Sequence, residues 1–186
     1  MSRKHRVWFP GAIYHITARG NRRTSLFHTH EDYMAYLQIL EDTRKIYPFI
    51  LHSYCLMTNH IHLQIETTTH HIKFIMKELH SKYAMYFNKK YNYSGHVFQG
   101  RYGAELIQTR DYFLEASRYI HRNPLEAKMV KILSSYEWSS YPAYLKLADN
   151  PHVSLHKTLY YFSEPVHQNY QAFVEKSILK KKEQKD

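Results

Sequence analysis

The chain holds one cysteine, Cys55, among its 186 residues. Disulfides need pairs, so packing alone must hold the core, and a lone thiol fits a reducing compartment. Glycine and proline are scarce, at five and six, which excludes collagen-like and low-complexity architectures. No run approaches the ~18 consecutive apolar residues of a membrane-spanning helix. Residues 1–6 are basic but no apolar stretch follows them, so no signal peptide is expected. Acid is in short supply too: 16 Asp and Glu stand against 26 Lys and Arg, a formal net charge of +10. That imbalance bears on partners rather than fold and favours polyanions. What remains, 44% hydrophobic and 23% charged residues, is ordinary globular usage, enough for one sizeable core.

The periodicities predict an ordered set of elements. A β-branched and aromatic strand over 12–19 closes at Gly20-Asn21, and a helix over 31–46 stops before Pro48. Strands follow over 49–57 and 59–66, joined at Thr58-Asn59, and a second helix runs from about 71 to 88. Residues 95–108 read as an extended element broken by Gly100 and Gly103. Thr109-Arg-Asp then caps a helix reaching about His121, where Asn123-Pro124 interrupts it. The order β-α-β-β-α-β followed by another helix predicts an α+β fold: a ferredoxin-like split βαβ antiparallel sheet with helices on one face, plus a further C-terminal helix. The expected organisation is a domain over 1–142 and a variable extension over 143–186, ending in a basic tail from Lys176.

The third strand is the most informative segment. Side chains alternate across a strand, so His60, His62, Gln64 and Glu66 share one face while Ile61, Leu63 and Ile65 share the other. The polar set should line an open sheet surface, with two imidazoles about 7 Å apart at their backbones, close enough to converge on a cation. Histidine is abundant, at 15 residues, so chance copies are expected. His28-Thr29-His30 and His70-His71 are two others, but neither lies on such a clean amphipathic strand. Further along, Tyr119 and Asn123 are four apart and so share a helix face, a tyrosine with an amide one turn away. That pair reads either as a nucleophile beside a metal ligand or as a packed tyrosine and a helix-ending asparagine. Basic residues interleave with aromatics at Arg19, Arg22, Arg23, Lys77, Arg101 and Arg122; such sets neutralise phosphates and stack on unpaired bases. His15 faces either the same sheet surface or the core. Glu115 has Arg118 or Arg22 as a partner, and Cys55 reads as a small core residue.

Five segments together resemble a known family. Tyr14-His-Ile-Thr-Ala-Arg-Gly-Asn21, Leu56-Met-Thr-Asn-His-Ile-His-Leu63, Gly95-His-Val-Phe-Gln-Gly-Arg-Tyr102, Tyr119-Ile-His-Arg-Asn-Pro124 and Trp138-Ser-Ser-Tyr141 occur in the order of the IS200-type tyrosine transposases, in particular the REP-associated ones. The resemblance spans roughly residues 10 to 142. It implies an HUH endonuclease fold, single-stranded hairpin DNA as partner, no membrane, and a cytoplasmic, nucleoid-associated location. By motif position it implies His60 and His62 as the HUH pair, Asn123 as third ligand of Mg²⁺ or Mn²⁺, and Tyr119 as nucleophile. Thr58 departs from a common proline, and Lys128-Met129 from a common Gly-Leu.

The function so implied is a metal-dependent single-stranded DNA endonuclease and strand transferase acting at hairpin-forming repeats through a 5′-phosphotyrosine. The alternative is a catalytically silent module that binds structured nucleic acid on the same scaffold. Monomer and homodimer both remain open.

Overall fold

The computed structural model describes residues 7–176. Four strands, β1 (Ile13–Arg19), β2 (Phe49–Met57), β3 (His60–Thr67) and β4 (Gly103–Ile107), form one antiparallel sheet in the order β2-β3-β1-β4. With helices α1 (His30–Ile46) and α2 (Ile72–Tyr91) as crossovers, this is the ferredoxin-like arrangement expected. The apolar faces of both helices dictate where they lie. Tyr36, Leu37 and Leu40 of α1 and Ile75, Met76, Leu79 and Tyr83 of α2 are buried against Tyr14, Ile16, Leu56, Ile61, Leu63 and Ile65 of the sheet.

The opposite face differs from expectation. It is not open, because α3 (Arg110–Glu126) lies across it. Phe113 and Ala116 pack on Ile107, and Ile120 packs on Cys55 and Met57. The otherwise polar Gln64 is fully buried there. It accepts from Ser53 Oγ at 2.8 Å and donates to the carbonyl of Phe113 at 2.8 Å. The helix also continues through Asn123-Pro124 to Glu126. Proline forfeits one hydrogen bond, but Pro124 stands in the last turn and is buried, so packing outweighs the loss. Just beyond, Lys128 adopts φ 57, the left-handed conformation that suits glycine. The extended element expected over 95–108 shrinks to β4. The preceding segment is a loop tied to the turn after β1 through Asn21 N–Val97 O and Gln99 N–Arg19 O, both 2.8 Å.

Residues past 127 close the free edge of β2. Leu56 N donates to Trp138 O at 2.8 Å and Ser140 N to Tyr54 O at 3.1 Å, covering groups that would otherwise invite another chain. Tyr141, Tyr144, Tyr170 and Val174 then build a second small core from α4 (Tyr141–Tyr144) and α6 (Val166–Glu175), with α5 (His156–Leu159) between them in sequence. The basic tail expected from Lys176 lies beyond the described residues, apart from Lys176 itself. Among the described residues no helix is long and apolar enough to cross a membrane.

One buried charge staples the helical layer. Asp32 has no exposed surface; its carboxylate accepts from the His28 and Thr29 amides, the Tyr86 and Tyr91 hydroxyls and Lys90 Nζ, all at 2.6–3.0 Å. Burial acts to raise its pKa, but the hydrogen bonds from Lys90, Tyr91 and the two amides outweigh it and hold the carboxyl well below its ordinary value. A pKa depressed by folding contributes stability above the unfolded value of about 3.9, lost as pH falls through the folded one. Asp32→Asn should therefore lower urea-unfolding stability by about 3–5 kcal/mol at neutral pH, with the gap to wild type narrowing below about pH 4. A gap of unchanged size in acid would contradict this account.

Candidate functional site

Alternation along β1 and β3 sets the floor of the site. In the antiparallel register Arg19 faces His60, Thr17 faces His62 and His15 faces Gln64, all on the α3 side of the sheet. Glycine at 103, paired with Thr17 on β4, keeps this floor flat: a Cβ there would lie 2.5 Å from Thr17 Oγ1. The result is an open cleft of about 370 Å³ lined by Thr17, Arg19, His60, His62, Gln99, Arg101, Gly103 and Tyr119, among others.

The wall is α3. Thr109 caps it, its hydroxyl accepting from Tyr112 N at 3.2 Å. Ala116 and Ile120 point at the sheet, while Ser117, Arg118, His121 and Arg122 turn toward α4 and α6. The 3.6-residue period then leaves Tyr119 and Asn123 over the histidines. Tyr119 is 54% exposed, and its ring stands edge-on to His62 with centroids 5.4 Å apart. The His60 and His62 rings are 5.1 Å apart and nearly perpendicular. The Asn123 side chain reaches His60 and donates to the Tyr119 carbonyl at 2.8 Å. Sequence reasoning expected these four residues in one place, and the structure brings them together.

The electrostatics keep the imidazoles uncharged. Burial, then the charge of Arg19, lowers the His60 pKa, with Asn123 opposing. Burial does most of the work at His62 too, aided by His15, His60 and Arg19, and pushes it down to about 3. Each ring is also held from behind. His60 Nδ1 lies 2.7 Å from Asn59 Oδ1, and His62 Nδ1 lies 3.1 Å from His15 Nε2. Neutral imidazoles held at Nδ1 by an outer partner are the form that ligates metals. Among the described residues there is no group of three or more His, Cys, Asp or Glu placed to hold a metal ion. Any ion here must therefore draw on the Asn123 amide, phosphate or water besides the two imidazoles.

The expected DNA contacts divide. Arg19 and Arg101 line the cleft, and Arg101 is shared with an adjoining groove that contains Lys73, Lys77 and His80. Arg22 and Arg23 sit exposed on the turn after β1, both in left-handed conformation with φ of 52 and 63. Arg122 does not join them, which corrects its expected role. It is 9% exposed, with Nη1 donating to Val174 O at 3.0 Å and Nη2 to Glu126 Oε1 at 2.8 Å. His121, flanking it, is fully buried between Ser140 and Tyr170. Glu115 pairs with Arg118 at 3.4 Å. Thr17, Gln99 and the contact of His15 with His62 were not singled out from sequence. Alternation with Arg19 on β1 marks Thr17 and His15, and only the fold marks Gln99.

A sheet of this topology, carrying a tyrosine-bearing helix against two strand histidines, defines the class as an α+β protein. The family model described as "Transposase IS200 like" matches residues 9–123, and the chain belongs to that family of transposases, enzymes that act on DNA. A REP-associated tyrosine transposase, solved bound to a REP hairpin, shares the fold with a TM-score of 0.69 at 16% identity, over 83% of this chain and 98% of that one. A candidate transposase from Deinococcus radiodurans R1 aligns at 17% identity over 64% of this chain and 95% of that one, with a TM-score of 0.44. No curated protein matches the chain.

Proposed function

We propose that this protein is a metal-dependent single-stranded DNA endonuclease and strand transferase that works at hairpin-forming repeats. The observation that carries the reading is the convergence of His60, His62, Asn123 and Tyr119 from one chain on a cleft bordered by Arg19 and Arg101. The shared fold of a transposase solved with a REP hairpin supports the substrate class.

His60, His62 and Asn123 would hold Mg²⁺ or Mn²⁺, which when bound polarises the scissile phosphate and offsets the charge building on it. The donor set fits, since both imidazoles are neutral, each is held at Nδ1 by an outer partner, and the Asn123 amide reaches His60. Imidazole and amide do not alone select the metal, so the Mg²⁺ or Mn²⁺ preference follows from the family resemblance. Arg19 and Arg101 neutralise flanking phosphates and hold the strand along the cleft. Tyr119, exposed and borne on a helix pinned at both flanks, presents its hydroxyl to the phosphodiester. Tyr119 Oη bonds to phosphorus as the bond from phosphorus to the 3′ oxygen breaks. The phenol gives up its proton and the departing oxygen gains one. The products are a 5′-phosphotyrosine and a 3′-hydroxyl. Phosphodiester energy is retained in the protein–DNA bond, so the 3′-hydroxyl of a second strand reverses the step and joins the ends.

The test is incubation with a 5′- or 3′-labelled single-stranded hairpin and Mn²⁺. The expected result is a protein–DNA band that survives SDS, carries the label 3′ of the nick and disappears in EDTA. A mobility shift with no SDS-resistant band would mean a binding module without chemistry. An adduct that persists in chelator would remove the metal.

A further inference from the structure

The His15–His62 pair has one proton to place between two ring nitrogens, and the direction decides what His62 can do. His15 is 8% exposed on β1 and stacks on His62 at 5.3 Å and 26°, with Nε2 3.1 Å from His62 Nδ1. If His15 donates, His62 carries its own hydrogen on Nε2, and that nitrogen cannot ligate. If His62 donates, its Nε2 keeps a free lone pair, and His15 must carry its hydrogen on Nδ1.

The use of the ring at the cleft selects the second arrangement: His62 turns Nδ1 to His15, so Nε2 is the nitrogen left for a cation, and it ligates only with its lone pair free. Glu105 faces His15 across β1 and β4, and its negative charge acts on the His15 ring. The carboxylate is itself anchored, since Tyr112 OH donates to Glu105 Oε2 at 2.6 Å. The neighbouring ring makes a comparable use of its Nδ1. His60 Nδ1 faces Asn59 Oδ1, which only accepts, while Asn59 Nδ2 is turned to the Arg23 carbonyl at 3.3 Å. His60 therefore donates its Nδ1 hydrogen to Asn59, the same polarity that the second arrangement gives His62.

We propose that His15 is a positioning residue: it accepts the Nδ1 hydrogen of His62 and so holds that ring in the tautomer whose Nε2 lone pair is free for a divalent cation. This rests on the reading of His60 and His62 as ligands. His15 and His62 then form an imidazole–imidazole pair ending at the cleft, with Glu105 opposite His15 on β4, an outer partner of the kind that orients ligating histidines. Nothing in this role requires His15 to touch DNA or metal.

The experiment measures imidazole ¹⁵N shifts of His62 in metal-free protein at neutral pH, and Mn²⁺ affinity by calorimetry, for wild type, His15→Phe and His15→Gln. Phenylalanine keeps a ring in the space but removes the acceptor, whereas glutamine places an oxygen where Nε2 was. In wild type the Nδ1–H tautomer of His62 is expected. His15→Phe should lose that tautomer and weaken Mn²⁺ binding by about 10–100-fold, while His15→Gln should restore both, an outcome that a mere packing role does not produce. A wild-type His62 carrying its hydrogen on Nε2 overturns the proposal, even if His15→Phe fails to fold. Tight Mn²⁺ binding by wild type and His15→Phe alike overturns this proposal alone. A wild type that binds no Mn²⁺ overturns the ligand reading beneath it and the proposal with it.

Discussion

Tyr119→Phe removes the SDS-resistant adduct altogether and slows strand cleavage by at least ~10³-fold, while hairpin affinity stays within about twofold and thermal stability does not change. The separation follows from where the side chain lies. Tyr119 is 54% exposed, its hydroxyl makes no hydrogen bond within the described residues, and its ring contacts are with His15 and His62. Phenylalanine preserves those contacts and loses only the attacking oxygen. Retained adduct in the variant would assign the nucleophile elsewhere. The same variant reports how the site is assembled. Because Tyr119 and both histidines meet within one chain, mixing Tyr119→Phe with His62→Ala should restore no activity. Recovery in the mixture would mean that α3 passes between copies.

Tyr170→Ala should cost about 3–5 kcal/mol in urea unfolding and should reduce adduct formation, although Tyr170 is remote from the cleft. Its ring is fully buried and stacks on Tyr144 at 4.5 Å. Its hydroxyl meets Ser117 Oγ and His121 Nδ1, both at 2.7 Å, and His121 Nε2 continues to Ser140 Oγ at 2.7 Å. Truncation leaves a cavity and strands two buried groups of α3, the helix that carries Tyr119. Tyr170→Phe isolates the second effect at about 1–3 kcal/mol. A loss below about 1 kcal/mol in the alanine variant would mean that α6 does not brace α3.

The parts of this architecture that were legible in the sequence are those whose period is local. The two-residue alternation of β3 placed His60 and His62 on one face, and the four-residue step placed Asn123 beside Tyr119. Three features depended on long-range packing and were misread or missed. Gln64 reads as polar and solvent-facing until α3 arrives to bury it. Pro124 reads as a helix breaker until its burial in the last turn is known. Arg122 reads as a phosphate contact because its partners, the carbonyls of Val174 and Lys176, lie more than 50 residues away. No periodicity connects such positions. His15 was visible as a candidate for the sheet surface, but its contact with His62 needed the β1–β3 register.

The way α3 is fastened to the C-terminal segment has an evolutionary corollary. Arg118 and Arg122 both grip the main-chain carbonyl of Lys176, and Arg122 also grips that of Val174. Every residue type offers such a carbonyl, so the fastening asks for a helix of the right length and path rather than for particular letters at its end. Substitutions on the exposed surface of this segment should thus be tolerated while α3, with Tyr119, stays clamped in place.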